Sequence, residues 1–184
     1  MEALLVSTLT VTLAEIGDKT QLLSLCLILK FRQPLQIALG ILIATLLNHF
    51  ATAYFGVWLA DAIDPNYLQW GISLSFIVLA IWLLIPDKDE GISDKFDKLG
   101  VFGATTLLFF LAELGDKTQI ATALLASQYQ SLIWVTLGTT LGMLAANLPI
   151  LFLGERLLNA LPLQLFRWLA AGVACLIGVL GLVW

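Results

Sequence analysis

Six apolar stretches separated by short polar breaks constrain this chain more than any other feature. They run over Ala3–Leu29, Leu35–Leu59, Leu68–Ile85, Val101–Ala126, Leu132–Leu153 and Leu165–Trp184. A hydrocarbon core about 30 Å thick takes about 20 apolar residues of helix. Within it every backbone N–H and C=O must find a partner inside the protein. The expected fold is therefore all-α, with six transmembrane helices and the lipid bilayer as a partner. Breaks fall at Arg32-Gln33-Pro34, Asp61 to Pro65, Asp87–Lys98, Gln128–Ser131 and Asn159 to Pro162. Charged residues make up 12% of the 184 and mean hydropathy is +0.96, whereas soluble domains carry roughly 25% charge. A water-soluble globule is excluded. The nine Lys and Arg are outnumbered by thirteen Asp and Glu and form no basic stripe, so nucleic acid is not an expected partner. Cys26 and Cys175 lie in apolar runs without a CxxC partner and read as small packing residues. A signal peptide is rejected for the first stretch, which is too long, lacks a basic start and contains Glu15 and Asp18.

Following the chain, the loops after spans one, three and five share one side. That side carries Lys30, Arg32, Lys88, Lys95, Lys98, Arg156 and Arg167, and the opposite side carries no Lys or Arg. The positive-inside rule makes the basic side cytoplasmic and leaves both termini outside. Trp58, Trp70, Trp82, Trp134, Trp168 and Trp184 fall near expected span ends, as an interfacial belt would.

Sliding the chain against itself gives one register, an offset of 98 residues. Leu13-Ala14-Glu15-Ile16-Gly17-Asp18-Lys19-Thr20-Gln21 lies over Leu111-Ala112-Glu113-Leu114-Gly115-Asp116-Lys117-Thr118-Gln119, and Gly40, Gly56 and Trp70 lie over Gly138, Gly154 and Trp168. Of 86 aligned positions 19 are identical, eight of them in the nine-residue block. Residues 1–86 and 99–184 thus read as two three-helix repeats joined by a charged cytoplasmic linker, 87–98. Three spans per half is an odd number, so the halves cross the membrane in opposite directions. Such inverted-topology repeats recur in secondary transporters, with the substrate site at the midplane between them.

Glu15 and Glu113 lie near the middle of their spans, where a charge costs about 2.5 kcal/mol or more unless paired or hydrated. Glu and Asp at i, i+3 share a helix face, and Gln21 and Gln119 lie a turn further on. Gly17 and Gly115, between the acids, could relax the helix and bare a carbonyl toward a polar cavity. The candidate metal-binding set is Glu15, Asp18, Gln21, Glu113, Asp116 and Gln119, all hard oxygen donors suited to Ca²⁺, Mn²⁺ or Mg²⁺. Supporting residues are Lys19, Thr20, Lys117, Thr118, His49 and Asn147, with Thr8, Thr12, Thr105 and Thr106 supplying further hydroxyls. Four carboxylates and two ammoniums sum to −2, which one divalent cation or two protons would neutralise; proton-coupled antiport follows as a hypothesis.

His49, the only histidine, aligns with Asn147 and reads either as a packing contact or as a proton relay. Gly138 and Gly142, and more loosely Gly178 and Gly181, read as helix-packing positions. The linker acids Asp87, Asp89, Glu90, Asp94 and Asp97 lack EF-hand spacing and read as a solvated loop, as do Asp61 and Asp64 outside. No nucleophile–base set appears, so neither an enzyme nor a cofactor is expected.

At the doubled block the chain resembles the Gdt1-like family of Mn²⁺/Ca²⁺:H⁺ transporters, within the lysine-exporter superfamily. Its hallmark is Glu-x-Gly-Asp-(Lys/Arg)-(Thr/Ser) once in each half of a six-span chain. Glu15-Ile16-Gly17-Asp18-Lys19-Thr20 and Glu113-Leu114-Gly115-Asp116-Lys117-Thr118 both fit it. The resemblance implies Mn²⁺ or Ca²⁺ as cargo, exchanged for H⁺ by alternating access, with Glu15, Asp18, Glu113 and Asp116 as ligands. It implies a compact bacterial form, without the targeting presequence and long central loop of eukaryotic members, exporting the ion across the inner (plasma) membrane. The alternatives are a Ca²⁺/H⁺ antiporter, a cationic amino-acid exporter, and a non-transporting scaffold indifferent to loss of the acids. The sequence does not rank Mn²⁺ against Ca²⁺ and leaves the oligomeric state open, a homodimer included.

Overall fold

The structure is a computed structural model that describes residues 1–85, 98–154, 156 and 161–183. The linker acids from Asp87 to Asp97, and Trp184, lie outside the described residues. Among the described residues the secondary structure is helical: α1 (Glu2–Glu15), α2 (Lys19–Phe31), α3 (Pro34–Ala62), α4 (Pro65–Leu83), α5 (Gly100–Glu113), α6 (Lys117–Tyr129), α7 (Leu132–Leu153) and α8 (Leu163–Val183). Of these, α3, α7 and α8 are long and apolar enough to cross a membrane, and α4 carries a shorter apolar run.

The stretches expected as continuous helices over Ala3–Leu29 and Val101–Ala126 are each two helices. Every piece has 13 or 14 residues, about 20 Å at a rise of 1.5 Å per residue, and is too short to span alone. The break is set residue by residue and recurs 98 positions on. Ile16 and Leu114 leave the helix with ψ of 114° and 118°. Gly17 and Gly115 follow at φ of 85° and 75°, a region that side chains with a Cβ rarely enter. Asp18 and Asp116 are then extended, with ψ of 168° and 165°, and open α2 and α6. Arg32 and Gln130 end those helices in the left-handed region, and Pro34 restarts the chain at the first turn of α3, where its missing N–H leaves no gap.

The packing follows the same offset in part. Helix α1 lies along α7 and α5 along α3; α4 pairs with α8, and α3 also meets α6 and α7. Glycines set how closely the helices approach. A Cβ added to Gly138 would lie 2.6 Å from the Leu4 carbonyl oxygen, and one on Gly142 2.7 Å from that of Thr8, so α7 admits the α1 backbone directly. Gly178 does the same for α8 against Ser73 of α4. Two apolar clusters fill the interior, one around Phe76, Leu79, Leu125 and Ala174 and the other around Ile37, Ile41, Phe109 and Met143.

Polarity runs inside out relative to a soluble protein. Leu5, Leu9, Phe50, Phe55, Ile81 and Phe152 are exposed, whereas Glu15, Gln21, His49, Glu113, Asp116 and Lys117 are buried. Such a surface suits lipid. Trp58, Trp70, Trp134 and Trp168 are exposed. Cys26 and Cys175, expected as packing residues, are exposed instead, because their positions fall on the outward faces of α2 and α8. Gly142→Leu is expected to force α1 from α7 and destabilise the fold by about 1–3 kcal/mol. Gly172→Ala, whose added Cβ meets nothing within 4 Å, is expected to be neutral. Thermal unfolding in detergent checks both.

Candidate metal centre

The two backbone breaks bring acids together that are distant in sequence. Glu15 ends α1, Glu113 ends α5, and Asp116 opens α6. One carboxylate oxygen from each lies within 4.8 Å of the others, and all three residues are buried. Each carboxylate has one oxygen fastened. Glu15 Oε2 accepts from the Thr20 hydroxyl, Glu113 Oε2 accepts from the Thr118 hydroxyl at 3.1 Å, and Asp116 Oδ1 lies 3.5 Å from Lys19 Nζ. The other oxygens, Glu15 Oε1, Glu113 Oε1 and Asp116 Oδ2, are buried with no hydrogen-bond partner among the described residues. Three buried carboxylates at this spacing repel one another and suffer desolvation, so the arrangement demands a cation or protons.

The glutamines hold the breaks. Gln21 Oε1 accepts from the Gly17 N–H at 2.8 Å, and Gln119 Oε1 accepts from the Gly115 N–H at 2.7 Å. Their amide nitrogens reach the neighbouring long helices. Gln21 Nε2 donates to the Ala146 carbonyl of α7, and Gln119 Nε2 to Asn48 Oδ1 of α3. Asn48 in turn donates to the Phe110 carbonyl at 3.0 Å, tying α3 to α5; a lone amide in an apolar span was the signal for it. Asn147 accepts from Ser24 at 2.7 Å and donates to the Met143 carbonyl, so both of its polar atoms are engaged.

Asp18 is buried but is not among the three converging acids. It lines a narrow cavity of about 10 Å³ with Gly17, Ile85, Lys117 and Arg167, and Lys117 Nζ donates to the Ile85 carbonyl at 2.6 Å. Thr8 and Thr106 bond back to their own helices, Thr12 does so and also reaches the Gly142 carbonyl, and Thr105 is buried. His49 of α3 is fully buried, with Nε2 3.8 Å from Glu113 Oε2. The two larger cavities, about 660 and 520 Å³, are lined by other residues, among them Asp61, Gln69, Gln128 and Gly181.

The family model described as "Divalent cation/proton antiporter GDT1" matches residues 3–91 and 101–183. A curated Vibrio cholerae serotype O1 protein described as "Putative manganese exporter" is 47% identical over 180 residues, covering 97% of this chain and 90% of the relative. No solved structure matches the chain. The geometry yields an expectation for the hydroxyls that steady the acids. Thr118→Val, which removes one such hydroxyl with little change in volume, is expected to weaken divalent-cation affinity about 10- to 100-fold. Calorimetric titration of the purified protein with Mn²⁺ checks it.

Proposed function

Because the chain belongs to the divalent cation/proton antiporter GDT1 family, we propose that it carries Mn²⁺ out of the cytoplasm in exchange for H⁺, holding the ion between Glu15, Glu113 and Asp116. The observation that carries this reading is the convergence of those three buried carboxylates from two helix breaks. Manganese as cargo is supported by the 47% identical relative described as a manganese exporter. The donor set agrees, since carboxylate oxygens suit Mn²⁺, Mg²⁺ and Ca²⁺. Ca²⁺ is the second cargo this chemistry accepts.

Proton coupling follows from charge. Three carboxylates and the Lys19 ammonium beside Asp116 sum to −2, so one divalent cation or two protons restore neutrality. Neither can leave the buried site without the other entering, which is the condition for exchange. Helices α1 and α2 together form one crossing and α5 and α6 another, giving six crossings in two inverted halves, 1–86 and 99–184. The recurrence of helix bounds and torsions at an offset of 98 supports that arrangement. Alternating access is supported by unequal cover at the breaks. A Cβ on Gly17 would meet Leu163 at 3.1 Å, while one on Gly115 meets nothing within 4 Å.

The membrane is the bacterial inner membrane, with the termini outside and the 87–98 segment in the cytoplasm. The basic residues Lys30, Arg32, Lys98, Arg156 and Arg167 support this orientation. Single cysteines at positions 30 and 64, introduced after replacing Cys26 and Cys175, are expected to label from opposite faces of inverted and right-side-out vesicles. Labelling from one face would contradict the topology. In proteoliposomes, Mn²⁺ flux is expected to follow an imposed pH gradient and to fall to background in Glu113→Gln. Flux indifferent to the gradient would leave a channel or uniporter instead.

A further inference from the structure

His49 has no structural duty that its surroundings reveal. Its side chain is fully buried, and both Nδ1 and Nε2 lack a hydrogen-bond partner among the described residues. Buried imidazoles are ordinarily satisfied, because an unmet polar nitrogen in the interior is destabilising. Yet Nε2 lies 3.8 Å from Glu113 Oε2, too far for a hydrogen bond. Metal–donor bonds of about 2.0–2.6 Å allow two donors of one ion to lie up to about 4–5 Å apart. The 3.8 Å gap therefore fits His49 and Glu113 sharing an ion at the edge of the acid cluster, whose three members lie within 4.8 Å of one another without His49 among them.

The backbone that carries His49 is also anchored. Asn48, its neighbour on α3, binds both the Phe110 carbonyl and Gln119, whose oxygen caps the Gly115 break. The height of His49 is thus locked to the break that delivers Glu113 and Asp116. The other half of the chain offers no equivalent. Asn147 aligns with His49 at the 98-residue offset, and its amide is engaged by Ser24 and Met143. One nitrogen donor therefore stands beside Glu113, at the rim of a site otherwise built of oxygens.

From this geometry we infer that His49 is a direct nitrogen ligand of the transported ion and sets the preference for Mn²⁺ over Ca²⁺. The inference rests on the carboxylate site proposed above and adds the residue that discriminates within it. Ca²⁺ fills its shell with six to eight oxygens, and imidazole contributes little to it. First-row transition ions accept imidazole nitrogen, and their affinity for such donors rises from Mn²⁺ onward. Replacing one oxygen position by nitrogen thus penalises Ca²⁺ and Mg²⁺ while retaining Mn²⁺.

The chain has a single histidine, which makes a test without mutation available. Protein grown with ¹⁵N-histidine and purified without a histidine tag is loaded with Mn²⁺ alone and studied by pulsed EPR. Nitrogen coupling to the Mn²⁺ electrons, changing from ¹⁴N to ¹⁵N character on labelling, is expected. A second arm compares Mn²⁺ and Ca²⁺ binding by the native protein and His49→Gln, whose amide oxygen serves either ion. The Mn²⁺ over Ca²⁺ affinity ratio is expected to fall about 10- to 100-fold, with Ca²⁺ binding retained. Bound Mn²⁺ without nitrogen coupling would overturn the inference and leave the carboxylate site standing. Nitrogen coupling with an unchanged ratio would overturn the selectivity role. If His49→Gln keeps native Mn²⁺ binding but loses pH-driven flux, the residue is a proton carrier and the ligand assignment is wrong. Failure of Mn²⁺ to bind the native protein would instead overturn the site itself.

Discussion

Three carboxylates forced together in the interior of a lipid-facing protein are the constraint around which the chain is organised. Glu15, Glu113 and Asp116 lie within 4.8 Å at their nearest oxygens and are buried. In a low dielectric such a cluster is stable only with positive charge inside it. Thr20, Thr118 and Lys19 each fasten one member, and they leave an oxygen of each acid without a partner among the described residues. Each acid thus keeps one buried oxygen that no hydrogen bond among the described residues engages.

Bringing acids from separate segments to one point requires the backbone to turn in the protein interior, where unpaired peptide groups are penalised. The chain meets this with a device used twice: an extended residue, a glycine in the left-handed region, an extended aspartate, and a glutamine that binds the glycine N–H from the next helix. The same glutamines fasten the breaks to α7 and, through Asn48, to α3. Close approach at Gly138 and Gly142 then seats α1 against α7. Backbone satisfaction, helix packing and carboxylate geometry are therefore one arrangement.

Much of this was legible in the sequence because ionisable residues stand out against apolar surroundings. The nine-residue block, its 98-residue offset and the candidate acids needed no coordinates, and the family match agrees with the resemblance seen at the two hexapeptides. The full helix breaks were less visible. Hydropathy does not register backbone torsion, and one glycine is compatible with a helix. Nor could equivalent letters reveal unequal positions. Asp18 and Asp116 are the same residue in the same motif, yet only Asp116 joins Glu15 and Glu113, while Asp18 lines a separate narrow cavity. The asymmetry arises from tertiary packing: Leu163 covers Gly17 and nothing covers Gly115 equivalently. The sequence also could not show that the Gln21 and Gln119 oxygens each accept a backbone N–H at the break, since that bond depends on the torsions there. The outward position of Cys26 and Cys175 was hidden for a similar reason, since lipid-facing and buried positions are equally apolar.

The most direct test of the account is the position of the ion itself. Crystals of the protein soaked in Mn²⁺ and measured at the manganese absorption edge would locate it by anomalous scattering. The account predicts a single strong peak enclosed by the carboxylates of Glu15, Glu113 and Asp116. A peak elsewhere, such as beside Asp61 in the larger cavity, with the three-carboxylate site empty, would contradict it.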